Sequence, residues 1–85
     1  MTHALKTWPE YFEAISSGFK TFEVRKDDRK FNSGDVVLLQ EYDNKTEEYT
    51  GAEWTGEITY IMRDPAFVKK GFVIFGIKEI ESPYH

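Results

Sequence analysis

The chain has 85 residues, no cysteine and a net charge of −4 at pH 7. Its length predicts a single domain over residues 1–85, and the absence of cysteine excludes a disulfide framework, a thiolate nucleophile and a cysteine-based zinc site. No apolar run has the length of a signal peptide or a membrane span, so we expect a cytoplasmic protein with no membrane contact. The histidines, His3 and His85, lie at opposite ends of the sequence, and neither a metal site nor a cofactor is predicted. The negative net charge disfavours strong non-specific binding of polyanions, which needs clustered lysine and arginine.

The N-terminal segment predicts a short strand that leads into a helix. In the strand, alternation points Leu5 inward and Lys6 outward. Thr7 and Glu10 have the spacing of a capping box, and Pro9 falls in the first turn, where its missing N–H costs nothing. The helix is therefore expected to begin directly after the strand.

The helix is predicted to pack through one apolar stripe. Its members recur at helical spacing, and they are Trp8, Tyr11, Phe12 and Ile15. Gly18 is expected to end the helix, because glycine readily takes the positive φ of the residue after the last turn. Phe19 is expected to fold back over the helix end.

Residues 20–25 predict a strand with two unlike faces. With period two, Phe22 and Val24 point to one face, which we assign to the core. The other face carries polar groups, with Lys20 at its entrance and then Thr21, Glu23 and Arg25. This polar row is the first candidate for a functional site. The alternative is an ordinary solvated face, on which an exposed ion pair contributes little stability.

The middle of the chain predicts a loop and a β-hairpin. Residues 26–35 have mixed charge and no periodicity, with Phe31 as their apolar anchor. Residues 36–39 begin a buried strand, and the polar residues 43–48 are expected to form the hairpin tip.

Acidic residues concentrate in this hairpin. Residues 41–62 contain one basic residue, Lys45, and six acidic residues, which are Glu41, Asp43, Glu47, Glu48, Glu53 and Glu57. Such a run is typical of a solubilising surface, and the alternative is a contact for a protein partner.

The C-terminal part predicts two further strands. From Glu53 the apolar positions alternate on one face, which carries Trp54, Ile58, Tyr60 and Met62. Gly56 interrupts this row and indicates a sharp bend. Residues 72–80 are apolar on both faces at first, so we expect a central strand beneath the helix. The chain is thus predicted to be α+β and mainly β, with five to six strands in a small mixed barrel and the N-terminal helix packed beside it.

Specific motifs follow the helix in a recognisable order. The helix end is followed by Gly18-x-Lys20-x-x-Glu23-x-Arg25 and later by the turn Gly34-Asp35 into an apolar strand. This order resembles the ASCH domains, members of the PUA-like β-barrel superfamily, and especially a small bacterial and phage branch of uncharacterised function. The resemblance covers nearly the whole chain.

The resemblance implies a PUA-like barrel with a cleft between helix and sheet, where Lys20, Glu23 and Arg25 converge. It also implies RNA or a modified nucleoside as the ligand. Some ASCH relatives are small amidohydrolases that act on acylated cytidines and use the motif lysine with a threonine and a carboxylate. Here Glu23 stands where that threonine is expected, which weighs against hydrolysis.

Three functions follow from these residues. The first is a binding module for RNA or a modified nucleotide, whose contacts would come from Lys6, Trp8, Lys20, Glu23, Arg25, Arg29 and Lys30. In it, Trp8 either stacks on a base or only completes the helix stripe. The charged loop that contains Arg29 and Lys30 is either part of the site or a solvated turn.

The second function is a small amidohydrolase. In it, Lys20 would activate water or the hydroxyl of Thr21 or Ser17, and Glu23 would transfer a proton. His3 is a further candidate base, or a hydrogen-bonded residue at a strand end. The third function is a protein-interaction module that uses the acidic hairpin. The sequence leaves the oligomeric state open.

Overall fold

The computed structural model describes residues 1–81. It contains one helix and five strands in this part of the chain. Their order is β1 (Thr2–Thr7), α1 (Pro9–Ser16), β2 (Phe22–Lys26), β3 (Val36–Asp43), β4 (Glu48–Met62) and β5 (Phe72–Glu79). The predicted mainly β, α+β class is confirmed.

The strands form one curled sheet in the order β1-β3-β4-β5-β2. β1 and β3 are parallel, whereas the other three pairs are antiparallel. β1 and β2 are the two edges, and within residues 1–81 no backbone ladder joins them. The sheet is therefore an open half-barrel of five strands.

The concave side of the sheet holds the core. The buried apolar cluster draws on every strand but β2, and it consists of Leu5, Phe12, Ile15, Phe31, Val37, Leu39, Trp54, Ile58, Val73, Phe75 and Ile77. Phe31 is 1% exposed and its ring centroid lies 4.9 Å from that of Phe75. Its predicted role as the apolar anchor of the loop is confirmed.

The N-terminal strand was predicted correctly, but the helix start was not. Leu5 is buried and Lys6 is exposed, as expected. The residue that caps the helix is Trp8, which makes no side-chain cap, and Pro9 occupies the first turn. Thr7 remains in β1, where its hydroxyl donates to the Leu5 carbonyl (3.2 Å). The capping box does not form because the strand keeps the Thr7 hydroxyl.

The helix buries only part of its predicted stripe. Phe12 and Ile15 are buried, whereas Trp8 and Tyr11 are 47% and 46% exposed. A helix of eight residues has room for one short contact surface, and α1 packs chiefly against β3. The expectation that it lies over the last strand is wrong, because a single residue, Trp8, connects it to β1 beside β3.

The helix ends as predicted at Gly18, whose φ is +87°. Phe19 does not fold back over the end and is 91% exposed. Nothing helical in residues 1–81 has the length and apolar character that a membrane crossing requires.

The prediction for the faces of β2 is reversed. Phe22 and Val24 are 46% and 50% exposed, whereas Glu23 is 3% exposed. The carboxylate can be buried because each of its oxygens accepts a hydrogen bond from a cationic side chain. The polar row, not the apolar one, therefore turns inward.

The β3–β4 hairpin has its tip where it was predicted, at residues 44–47. Further along β4, a bulge between Ile58 and Tyr60 shifts the register. Tyr60 is consequently 68% exposed, and Ile61 packs against the core instead. The prediction that Tyr60 shares a face with Ile58 is wrong for this reason.

Gly56 has a packing role in β4. A Cβ atom at this position would lie 2.4 Å from two ring carbons of Trp54. Only glycine leaves room for that ring, which closes the core at this end of the sheet.

Candidate functional site

The gap between the sheet edges β1 and β2 forms a groove, which we call the seam groove. Its main part has a volume of about 730 Å³ and is lined by Lys6, Thr7, Trp8, Tyr11, Lys20, Glu23, Val24, Arg25, Lys26 and Phe72. A second part of about 320 Å³ shares five of these residues and adds Leu5, Asp28, Arg29 and Phe31. The two parts are continuous along the seam.

A buried carboxylate lies between two cations at the base of the groove. The Glu23 side chain is 4% exposed, and its Oε1 accepts from Lys20 Nζ at 2.7 Å. Its Oε2 accepts from Arg25 Nε at 2.6 Å. The cationic side chains are more open, at 20% exposed for Lys20 and 22% for Arg25. A ligand in the groove would therefore meet the cations over a larger surface than the carboxylate.

The turn after the helix places Lys20 in this arrangement. Gly18 reverses the chain with its positive φ, and the Lys20 backbone N–H then donates to the Ala14 carbonyl at 2.9 Å. Lys20 is thus fixed to the last turn of α1 while its ammonium reaches Glu23 on β2. The turn at Gly18 is therefore what allows the Lys20 ammonium to pair with the Glu23 carboxylate.

Arginine side chains connect β2 and the loop after it to the β1 edge. Arg25 Nη1 donates to the Lys6 carbonyl at 2.9 Å, and its Nη2 donates to Thr7 Oγ1 at 3.0 Å. Arg29 Nη1 donates to the Ala4 carbonyl at 3.0 Å. These bonds satisfy carbonyls of the β1 edge that a neighbouring strand would otherwise pair with. The seam is closed by side chains.

Two aromatic rings form one wall of the groove. Trp8 and Tyr11 stack with their centroids 6.4 Å apart and their planes 21° apart. Both are about half exposed, and the ammonium of Lys20 lies 5.4 Å from the Tyr11 ring centroid. Rings exposed in this way can accept a further planar group.

The charge of the seam groove is opposite to that of the whole chain. Its cationic side chains are Lys6, Lys20, Arg25, Lys26 and Arg29, and its acidic ones are Glu23 and Asp28. The chain as a whole has a net charge of −4. The sequence pattern therefore concentrates positive charge at one seam of an acidic protein.

Comparison with known proteins identifies the domain. A family model described as a domain of unknown function, DUF3850, matches residues 2–77. The chain belongs to this family. The match covers every residue that lines the seam groove, and no curated protein matches the chain. In this DUF3850 domain, the groove is the feature that bears on function.

Most of the predicted site residues of the DUF3850 domain meet at the groove. Those that line it are Lys6, Trp8, Lys20, Glu23, Arg25 and Arg29. Lys30 is exposed in the following loop and lines neither part. Thr21 and Ser17 line a second cavity of about 410 Å³ beside the helix end, which shares Lys20 with the groove but does not contain Glu23. The structure thus brings together the predicted binding residues but not the predicted hydroxyl nucleophiles.

Sequence reasoning missed several residues of the groove, among them Thr7, Tyr11 and Lys26. Thr7 is 2% exposed and accepts from Arg25, and Tyr11 belongs to the aromatic wall. The alternation of the first strand could have predicted that Thr7 points inward, because Thr7 is two residues after the buried Leu5. Tyr11 was assigned to the core from its helical spacing, and its exposure depends on how α1 is tilted against the sheet.

His3 has a structural partner. It is 4% exposed and its Nε2 lies 2.8 Å from Asp35 Oδ2. The hydrogen bond with His3, helped by the Asn32 backbone N–H and the terminal amine, holds the pKa of Asp35 below its ordinary value despite burial. This matches the predicted hydrogen-bonded histidine at a strand end. His85 lies outside the described residues.

Metal binding has no geometric support in residues 1–81. No group of three or more His, Cys, Asp or Glu side chains there could hold an ion. The one buried carboxylate of the groove, Glu23, is already occupied by Lys20 and Arg25.

Proposed function

We propose that this DUF3850 domain binds RNA or a modified nucleoside in the seam groove. The observation that carries the proposal is the half-exposed Trp8 and Tyr11 stack beside a cluster of cations in a groove of about 730 Å³. Ligand pockets commonly measure about 300–1,000 Å³ and combine apolar walls with a few directed polar groups. Under this proposal the half-barrel is a PUA-like domain related to the ASCH domains.

Each class of side chain has a role in this proposal. A base stacks on Trp8, whose ring is available because the helix begins only after it. Ribose or phosphate oxygens accept hydrogen bonds from Lys6, Lys20 and Lys26. Glu23 holds Lys20 and Arg25 in place, which makes it a positioning residue.

Selectivity follows from the distribution of charge. Non-specific affinity for polyanions rises with the number of phosphates that lysine and arginine neutralise. Here five of the eleven lysine and arginine residues line the groove beside two acidic ones, whereas the rest of the chain has thirteen acidic residues and six cations. The domain is therefore expected to prefer a short or single-stranded ligand that enters the groove over long duplexes.

Amidohydrolysis lacks a specific observation in its favour. The only threonine hydroxyl at the groove belongs to Thr7, which donates to the Leu5 carbonyl and accepts from Arg25. A nucleophilic hydroxyl needs a base as the acceptor of its proton, and a backbone carbonyl cannot serve.

The test is an NMR titration of labelled protein with nucleosides, acylated cytidines and a short single-stranded RNA. We expect the largest shifts at residues that line the seam groove, among them the indole of Trp8, Lys20, Glu23 and Arg25. Lys20→Ala and Arg25→Ala should each weaken binding, whereas the control Lys45→Ala, on the hairpin tip, should not. A growing product signal with acylated cytidine would replace binding by catalysis. No shift with any ligand, or shifts on the acidic hairpin alone, would overturn the proposal.

A further inference from the structure

Apolar side chains also cover part of the convex side of the sheet. Directly paired residues on neighbouring strands point to the same face. Phe22 pairs with Gly76, which pairs with Tyr60. Beside this row, Val24, Ile74 and Met62 are paired in the same way. We call Phe22, Val24, Tyr60, Met62 and Ile74 the outer platform.

The outer platform is exposed to an unusual degree for apolar residues. Phe22 is 46%, Val24 50% and Tyr60 68% exposed. The bulge between Ile58 and Tyr60 is what turns Tyr60 to this side. Contiguous apolar surface of this kind marks a site of interaction in a small soluble domain.

The two rings of the outer platform flank a polar group. A Cβ atom at Gly76 would lie 2.7 Å from Thr59 Oγ1, so this hydroxyl lies over the glycine between Phe22 and Tyr60. Two strand spacings separate the rings, which is about 10 Å. Two flat apolar surfaces with a hydroxyl between them can hold planar groups that also form hydrogen bonds.

Lys20 joins the outer platform to the seam groove. Its ammonium lies 5.0 Å from the Phe22 ring centroid and 5.4 Å from that of Tyr11. Lys26, which also borders the groove, and Lys78 lie on the same convex face by their register, with Glu57 paired to Lys78. Aromatic rings therefore continue from the groove to the convex side with lysines between them.

We infer that the ligand of the groove is a single-stranded nucleic acid several nucleotides long, which passes Lys20 and continues over the outer platform. Its bases stack on Phe22 and Tyr60, and its phosphates lie near Lys20, Lys26 and Lys78. Stacking on successive aromatic side chains along a positive path is how single strands are bound without base-specific contacts. The inference rests on the proposed function, and it extends the ligand beyond one nucleotide.

A second copy of the chain fits this face less well. In a two-fold interface the same patch lies on both subunits, so a patch that carries three lysines faces a second patch that carries the same three. The two patches, with Lys20, Lys26 and Lys78 on each and Glu57 as the one acidic side chain in the paired rows, would repel each other. The same charges attract a phosphate chain.

The experiment is a fluorescence-anisotropy titration with labelled single-stranded RNAs of three and nine nucleotides. We expect the nonamer to bind more tightly than the trimer. Phe22→Ser and Tyr60→Ser should each weaken nonamer binding about five-fold or more and leave trimer binding nearly unchanged. The control Phe67→Ser removes a ring that is 79% exposed on a loop outside both surfaces, and it should change neither. Tyr60 is the more exposed platform ring, so Tyr60→Ser keeps the test valid if Phe22→Ser unfolds.

The outcomes separate the two proposals. If trimer and nonamer bind equally and Tyr60→Ser has no effect, the outer platform is not part of the site, and the proposed function still stands. If neither RNA binds, the inference is overturned, and the proposed function is then decided by the nucleosides of the NMR titration. If Tyr60→Ser abolishes self-association in sedimentation experiments and leaves RNA binding unchanged, the platform is an interface between copies and the inference is wrong.

Discussion

The seam between β1 and β2 and the β3–β4 hairpin use charged residues in opposite ways. In the hairpin a backbone ladder joins the strands, and residues 44–53 are exposed, so the acidic side chains face water. In the seam no backbone ladder joins the strands. Arg25 and Arg29 instead donate to carbonyls of β1, and Glu23 holds Arg25 in position. The charged side chains of the hairpin lie on strands that the backbone ladder already joins. At the seam, charged side chains make the connections that a ladder makes elsewhere.

The comparison also explains where a ligand can bind. Cations held at a seam are ordered in advance, so a ligand does not have to immobilise them. Acidic side chains on the hairpin contact mainly solvent, and they keep the rest of the surface negative. The substitutions below test whether this contrast between the seam and the hairpin is real.

The largest effect is expected from Glu23→Gln. Removing the carboxylate leaves Lys20 and Arg25 without their counter-charge in a mostly buried site, which costs about 3 kcal/mol. For a domain of this size the melting temperature should fall by about 10 °C or more. The matched control, Glu48→Gln on the exposed hairpin, should change the unfolding free energy by less than about 0.5 kcal/mol. Equal melting temperatures for the two variants would remove the contrast.

A smaller effect is expected when an arginine of the seam is replaced. Arg25→Lys keeps the charge but loses the planar group that bonds Glu23, the Lys6 carbonyl and Thr7 together, at a cost of about 1–3 kcal/mol. Arg29→Lys loses one bond, to the Ala4 carbonyl, and should cost about 1 kcal/mol or less. Chemical denaturation of both variants measures the ranking. An Arg29 variant that is less stable than the Arg25 variant would contradict it.

Asp35 is a buried carboxylate that lies just before β3, where a backbone ladder joins β3 to β1. Replacing it shows what such a charge contributes when the strands are already paired. Its pKa is lowered from 3.8 in the folded state, chiefly by His3. The stability it contributes is therefore present above pH 3.8 and is lost as the pH falls through its lower folded pKa. Asp35→Asn should lower the melting temperature clearly at pH 6, and the difference from the original protein should shrink towards pH 2.5. A difference that does not change with pH would contradict the role of the charge.

The smallest effect is expected from Glu47→Gln combined with Glu48→Gln. These side chains are exposed at the hairpin turn, so the melting temperature should stay within about 2 °C. Affinity for an anionic ligand should stay equal or rise slightly, because long-range repulsion is reduced. Weaker binding, measured by titration at fixed ionic strength, would show that the hairpin takes part in recognition.

Much of the fold could be predicted from local signals. Gly18 marked the helix end, Phe31 anchored the loop, and the polar run 43–48 marked the hairpin tip, because each depends on a few neighbouring residues. The site motif also predicted that Lys20, Glu23 and Arg25 would meet.

Two features could not be predicted, because they depend on distant partners. The apolar row of Phe22 and Val24 indicated the core, yet Glu23 turns inward because Lys20 and Arg25 both pair with it. The bulge after Ile58 reverses the faces of β4 and has no signal in the alternation that precedes it. The exposure of Trp8 likewise follows from where α1 packs, which its own spacing does not specify.

The central claim is that a planar ligand stacks on Trp8 in the seam groove. The chain has two tryptophans, of which Trp8 is 47% and Trp54 8% exposed. Tryptophan fluorescence should therefore be quenched in a saturable way when single-stranded RNA is added, and Trp8→Phe should remove nearly all of that quenching. Quenching that persists in Trp8→Phe would contradict the claim, as would undiminished RNA affinity of Trp8→Leu, which has no ring for a base to stack on.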